Sequence, residues 1–368
     1  MKISKFDSSA LIISIIVTSL VSSLLVYSLG TNSIHATTSL DQSIRQSQDE
    51  LQSAINKEVQ QTITETIINI NNSSPDVADQ TKNRQIKNDS SLFPSHHDTA
   101  TIMDNGTSQK VRVGDIDIAY DLFGKGDPIL LIPGFSMTME MWGPILDNLA
   151  ENHTIIIFDN RGIGETTTGN KTFSMNQFVN DTVGLIEALE IEKPIDVLGL
   201  SLGGMIAQEL ALSHPENIKH LIVVASSCGG EESLPPQLSP RDLQSMQNGT
   251  ANITLFLHAL FPDKWIKENI DTLNSTFVLP QVSQENLLKY GQALGKWKGS
   301  CDSISGIDKP VLVMTGTDDI TSPPINSLKI AEKIPGAWLI QLKGAGHGVM
   351  QQYPETVNDI IEIFLSLT

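Results

Sequence analysis

The five residues Gly199-Leu200-Ser201-Leu202-Gly203 say more about the fold than any other segment of the chain. It follows an apolar run at 194–198 that predicts a buried strand, and it precedes an apolar run at 204–212 that predicts a helix. A serine at such a turn, in the pattern G-x-S-x-G, is typical of a nucleophile elbow. The turn strains the serine backbone and leaves no room for side chains two residues to either side. The pattern predicts that Ser201 is a nucleophile; the alternative is an ordinary helix N-cap.

Two partners for such a serine follow in the required order, an acid and then a histidine. The apolar run at 310–314 leads into a loop with Asp318 and Asp319, and the run at 337–342 leads into a glycine-rich loop with His347. The carboxyl ends of parallel strands meet at one edge of a sheet, so we expect these residues to lie near the serine. Such a set needs no metal and no organic cofactor.

The order of these motifs resembles that of the α/β-hydrolase superfamily, in particular its small serine esterase and cofactor-free haloperoxidase-like branch. The resemblance covers about residues 111–367. Besides the elbow, it rests on the oxyanion turn at 130–135, the D-x-R-G-x-G-x-S loop at 158–166, the G-x-x-D acid turn at 316–319 and the histidine turn at 346–347. The chain departs from the family pattern in two places: Pro133 replaces a common histidine, and Glu165-Thr166 replaces the usual Arg/His-Ser pair.

The resemblance implies an α/β-hydrolase fold, with a mostly parallel central sheet, helices on both faces and a helical cap. It implies that Ser201 attacks an ester carbonyl after His347 takes its proton, while Asp319 orients the histidine. Asp318 is the alternative acid. The backbone N–H groups of Phe135 and Leu202 would bind the oxyanion. Two other functions stay open: the same triad using peroxide as the acceptor, as in perhydrolases, and a non-catalytic surface protein of this fold.

Alternating strands and helices are predicted for most of the domain at 101–368. The pattern predicts a hairpin at 111–120, strands at 129–132, 154–158 and 218–225, and helices at 174–189 and 354–367. The interval 229–308 does not alternate, and it has an apolar run at 253–261. The resemblance implies that this interval is the cap. Its apolar residues would line a pocket for an acyl or alkyl group, or would only attach the cap to the body.

The charge of the chain limits its possible partners, and its cysteines limit its possible disulfides. The 368 residues carry a formal net charge of −18, which argues against nucleic acid or an anionic membrane surface as a partner. The expected partner is a small-molecule ester with an apolar acyl or alkyl part.

Cys228 and Cys301 are the two cysteines. They could form one bridge or remain two unpaired buried thiols, and of these we favour the thiols.

The first 36 residues carry a membrane signal. Lys2 and Lys5 precede an uncharged stretch whose apolar part runs over 10–29, which is about the 20 residues that a helix needs to span a bilayer. The flanking lysines predict that the N-terminus stays in the cytoplasm. We expect a single N-terminal anchor in the cell membrane with the catalytic domain outside. The alternative is a secretory signal cleaved near Ala36, which would release the protein.

Residues 37–100 form a predicted polar stalk or linker. Between 40 and 70, apolar residues recur at steps of three, four and seven, which predicts a stripe along one side of a helix. Such a stripe favours self-association through a short coiled coil, or it marks a marginal helix without a partner. From 71 to about 101 the chain is polar and predicts a disordered linker.

Overall fold

An eight-stranded sheet organises the chain, whose computed structural model describes residues 108–271, 273 and 282–368. The strand order is β1-β2-β4-β3-β5-β6-β7-β8. The strands are β1 (Gln109–Val113), β2 (Ile116–Gly124), β3 (Asp127–Ile132), β4 (His153–Phe158), β5 (Ile195–Leu200), β6 (Ile218–Val224), β7 (Val311–Gly316) and β8 (Trp338–Leu342).

The sheet is mostly parallel, as predicted. β1 and β2 form the predicted antiparallel hairpin, and β2 is also antiparallel to β4. From β4 to β8 every neighbouring pair is parallel. All six residues of β5 and all six of β7 are buried, because helices cover both faces of the sheet. The parallel strands therefore end at one edge, where the loops after β3, β5, β7 and β8 lie.

Helices cover both faces of the sheet. They are α1 (Gly143–Ala150), α2 (Met175–Ala188), α3 (Leu202–Ser213), α4 (Pro240–Gln247), α5 (Ile253–Leu260), α6 (Asp263–Glu268), α7 (Gln284–Lys296), α8 (Pro324–Lys333), α9 (Val349–Gln352) and α10 (Pro354–Leu367). α2, α3 and α8 pack on one face, and α1 and α10 pack on the other. Ser174 caps α2 by accepting a hydrogen bond from the N–H of Gln177 at 3.1 Å, as its sequence position predicts.

The interval between β6 and β7, whose residues 229–308 we call the cap, consists of helices and connecting loops in its described residues. It contains α4 to α7, and its own apolar cluster contacts Met137 in the loop after β3. A disulfide joins Cys228 to Cys301 with a Cα–Cα distance of 4.8 Å, so the expectation of unpaired thiols was wrong. The bridge ties together the two ends of the cap, because one cysteine follows β6 and the other precedes β7.

The predicted membrane localisation needs correction. In the described ranges no helix is long and apolar enough to cross a membrane. The longest helices there have 14 residues, whereas a span needs about 20. The predicted anchor at 1–36 and the predicted stalk helix at 40–70 lie outside the described residues. The prediction of a single N-terminal anchor in the cell membrane with the catalytic domain outside is therefore corrected: no described helix supports it.

Candidate active site

Ser201 occupies the strained turn that the sequence predicts. It joins β5 to α3 with φ 54° and ψ −116°, a region that side-chain-bearing residues rarely adopt. A Cβ added to Gly199 would run into the backbone of Gly203. A Cβ added to Gly203 would run into the carbonyl of Ile132 in β3. The turn is therefore tight enough to require glycine on both sides of the serine.

Hydrogen bonds with the last residue of β6 and with the loop after it hold the backbone of Ser201 in place. Its N–H donates to the carbonyl of Val224 at 2.9 Å, and the hydroxyl of Ser226 donates to its carbonyl at 2.7 Å. Sequence reasoning missed Ser226, although a serine just past a predicted parallel strand lies at the right edge of the sheet. Among the described residues, the Ser201 hydroxyl makes no hydrogen bond, including none to His347. Catalytic hydrogen bonds to a nucleophile often tighten only with substrate present.

His347 and Asp319 form a buried hydrogen-bonded pair. His347 Nδ1 lies 2.9 Å from Asp319 Oδ2, and the two residues are 5% and 2% exposed. An ionised carboxylate only accepts, so Nδ1 is the donor in this bond, and in the neutral ring Nε2 then has the lone pair. The other oxygen of Asp319 accepts the N–H groups of Thr321 and Ser322 at 2.8 and 2.7 Å. Asp318, the alternative acid, is exposed and accepts a bond from the neighbouring Thr317 hydroxyl.

The two predicted oxyanion donors lie on either side of the elbow. Leu202 is the first residue of α3, where a helix leaves its N–H groups without intrahelical partners. Phe135 follows β3, next to Gly134, where an added Cβ would lie 3.5 Å from the Ser201 Cβ. Within the described part of the chain, neither N–H donates to a protein acceptor. Both donors are thus available to a ligand.

The carboxyl of Asp159 holds the loop after β3, which we call the oxyanion loop (133–138). Its two oxygens accept the N–H groups of Met139 and Glu165 at 2.8 and 2.9 Å. Burial raises the pKa of Asp159 to about 6. The neighbouring Asn160 donates from Nδ2 to the Pro133 carbonyl at 3.3 Å. Pro133 stands where many family members have histidine, and its backbone carbonyl is held by the loop after β4.

Arg161 braces the same loops from the interior. Its guanidinium contacts Asp115 at 3.0 Å and Asp181 at 2.6 Å, and this hydrogen bonding holds the pKa of Asp115 well below its usual range. Its carbonyl accepts the hydroxyl of Tyr290 from cap helix α7 at 2.9 Å. Tyr290 also packs edge-on against Phe135, with ring centroids 5.9 Å apart. Arg161 therefore joins the loop after β4 to the β1–β2 turn, to α2 and to the cap.

A cavity of about 250 Å³ lies beside His347. Cap residues 258–263 line it together with Asp318, Ile320 and Gly346, and Ser201 is not part of its wall. In the residues that the structure describes, no three acidic, histidine or cysteine side chains are grouped as metal ligands would be.

Comparisons with known proteins agree with this architecture. A family model described as the alpha/beta hydrolase fold matches residues 127–262, and one described as TAP-like protein matches 296–367. A putative carbamate hydrolase from Azorhizobium caulinodans is 27% identical over 252 residues, which cover 67% of this chain and 94% of that protein. A putative non-heme bromoperoxidase from Mycobacterium tuberculosis is 28% identical over 262 residues, covering 68% and 99%.

Solved structures share the same fold. A thermophilic esterase from Thermogutta terrifontis superimposes with a TM-score of 0.62 over 70% of this chain and 98% of that chain. At 22% identity, this likeness bears on the fold alone. Taken with the family models and the sequence relatives, the fold and the elbow lead to one conclusion: the chain belongs to the α/β-hydrolase superfamily.

Proposed function

We propose that this protein is a serine hydrolase that cleaves carboxylic esters or related acyl bonds through an acyl-enzyme intermediate. Its catalytic residues are Ser201, His347 and Asp319. The observation that carries the proposal is the strained backbone of Ser201 at the sheet edge that also holds the buried His347–Asp319 pair. A non-catalytic protein has no physical need for this strain or for a buried histidine–carboxylate pair.

The proposed reaction begins when His347 Nε2 takes the proton of the Ser201 hydroxyl as the oxygen attacks the acyl carbon. The N–H groups of Leu202 and Phe135 stabilise the oxyanion that forms. Losing one such donor typically costs about 3–4 kcal/mol of transition-state stabilisation. The histidine then protonates the leaving alcohol, and water, deprotonated by the same histidine, hydrolyses the acyl-enzyme. Asp319 stabilises the imidazolium in both steps.

The proposed substrate has an apolar acyl or alkyl part. The cap contributes a buried apolar cluster that includes Phe256, Leu257 and Phe261, and this cluster contacts Met137 of the oxyanion loop. Met137 is close to Gly134, which itself approaches Ser201. We propose that residues 101–368 form the catalytic domain and that residues 229–308 within it form the cap over the active site. Self-association through the stalk remains a prediction.

Ester hydrolysis by the full chain tests the proposal. Initial rates on p-nitrophenyl esters of increasing acyl length should be measurable, and Ser201→Ala should reduce them by at least about 10⁴-fold. Ser213→Ala is the matched control, because this exposed serine lies at the end of the same helix α3 and its hydroxyl donates to the Glu209 carbonyl. Equal rates for wild type and Ser201→Ala would refute the assignment.

Perhydrolase activity is a second candidate, and the similarity to a putative non-heme bromoperoxidase favours it. Here hydrogen peroxide replaces water in attacking the acyl-enzyme, so that a peracid and free Ser201 are released. Assays with ester alone and with ester plus peroxide separate the two reactions. Peracid formation that equals or exceeds simple hydrolysis would favour the second candidate, and hydrolysis without peracid would favour the first.

A further inference from the structure

The end of cap helix α5 contacts both loops that carry the partners of Ser201. The Leu260 carbonyl accepts the N–H of Gly348 at 2.8 Å, next to His347. The Ala259 carbonyl accepts the hydroxyl of Thr321 at 2.6 Å, two residues after Asp319. The last carbonyls of a helix have no intrahelical partners, so α5 offers two free acceptors at this point. The acid loop (317–322) and the histidine loop (343–348) satisfy them.

The histidine loop approaches the cap closely. A Cβ added to Gly348 would run into the ring of Phe261, and one added to Gly346 would crowd the Leu260 carbonyl and Pro262. Glycine on each side of His347 is therefore required by contact with the cap. On its other side the loop is held by α9, where Gln352 accepts the Gly346 N–H at 2.7 Å.

Thr321 connects the acid directly to the cap. Its N–H donates to Asp319 Oδ1 at 2.8 Å, and its hydroxyl donates to the Ala259 carbonyl at 2.6 Å. The carboxylate oxygen that Thr321 holds is the one that does not face His347. One of the two N–H groups that hold this oxygen thus belongs to a residue that is itself bonded to α5, while the other belongs to Ser322.

We propose that Thr321 is a positioning residue, whose hydroxyl bond to the Ala259 carbonyl makes the Asp319–His347 geometry depend on the seated cap. The inference rests on the proposed function. Without this bond Thr321 is no longer tied to α5, so one of the two N–H donors to Asp319 Oδ1 loses its fixed position and the carboxylate is held less firmly. A misplacement of about 1 Å at a catalytic group costs up to about 100-fold in rate.

Three full-chain variants test the role of the hydroxyl. Thr321→Val keeps the shape and removes the donor, and Thr321→Ser keeps the donor. Thr182→Val is the matched control, because the buried Thr182 hydroxyl donates to the Phe178 carbonyl within α2 at 2.9 Å, away from the site. The rate readout is kcat/KM for an ester between about pH 5 and pH 9. The structural readout, which needs no activity, is the downfield proton NMR signal of the His347 Nδ1–H bonded to Asp319.

Thr321→Val should lower kcat/KM by about 10- to 100-fold, move the acid limb of its pH profile to lower pH and weaken the NMR signal. Thr321→Ser and Thr182→Val should resemble the wild type in all three readouts. An unchanged NMR signal in Thr321→Val, or an equal loss in Thr321→Ser, would overturn the positioning role. A wild type that has the signal but hydrolyses no ester would instead count against the proposed function, while the NMR comparison would still decide the role of Thr321.

Discussion

The buried carboxyl of Asp159 gives the stability of this protein a pH dependence that one substitution should remove. The side chain is 1% exposed, and burial raises its pKa from 3.8 to about 6. The folded protein therefore binds this proton more tightly than the unfolded chain does. At about 1.36 kcal/mol per pH unit, the difference amounts to about 3 kcal/mol. This contribution is fully present below about pH 4 and is lost as the pH rises through about 6.

Urea unfolding of the wild type and Asp159→Asn between about pH 4 and pH 7 measures this contribution. Asparagine cannot ionise, so the wild type should lose about 3 kcal/mol relative to the variant across this window. The amide accepts one of the two N–H groups now held, which adds an offset that does not vary with pH. Asp302→Asn, at an exposed position, is the matched control. Parallel stability curves for the wild type and Asp159→Asn would refute the reasoning.

Three further predictions concern the framework of the site. Cys301→Ser opens a covalent loop of 73 residues and should lower the free energy of unfolding by about 4 kcal/mol; an unchanged urea midpoint would contradict this. Arg161→Met leaves the buried carboxylate of Asp181 and the partly buried carboxylate of Asp115 without their cation and should cost about 3–5 kcal/mol. Arg112→Met, at a side chain 61% exposed, should cost under about 1 kcal/mol, and similar midpoints for both variants would count against the bracing role. Gly203→Ala should abolish esterase activity because its Cβ would meet the backbone of β3, and full activity in this variant would disprove the tight elbow. The control Gly291→Ala, in open space on α7, should stabilise the protein by up to about 1 kcal/mol.

Local signals in the sequence predict the sheet and the elbow well. Apolar runs identify β3 to β8, because parallel strands buried on both faces are continuous apolar segments. The glycines around Ser201 follow from the close contacts in the turn. Outside the cap, the described helices α1, α8 and α9 escaped prediction, although Pro144 and Pro324 in the first turns of α1 and α8 are a typical start signal.

Contacts between distant segments could not be predicted. The Cys228–Cys301 pairing joins residues 73 apart, and only the folded cap brings them together. The choice of Asp319 over the adjacent Asp318 rested on the G-x-x-D resemblance, and the burial of the second with exposure of the first appears only in the fold. The bond from Thr321 to the cap likewise spans 62 residues and has no local pattern that could reveal it.

Fluorophosphonate labelling of the full chain, with the modified peptide identified by mass spectrometry, tests whether Ser201 is an activated nucleophile. The reagent reacts with a serine that an adjacent base activates. The proposed triad predicts one covalent adduct on Ser201 in the wild type and none in Ser201→Ala, with Ser213→Ala labelled at the wild-type rate. A folded wild type that remains unlabelled, or an adduct that persists in Ser201→Ala, would contradict the assignment of Ser201 as the nucleophile.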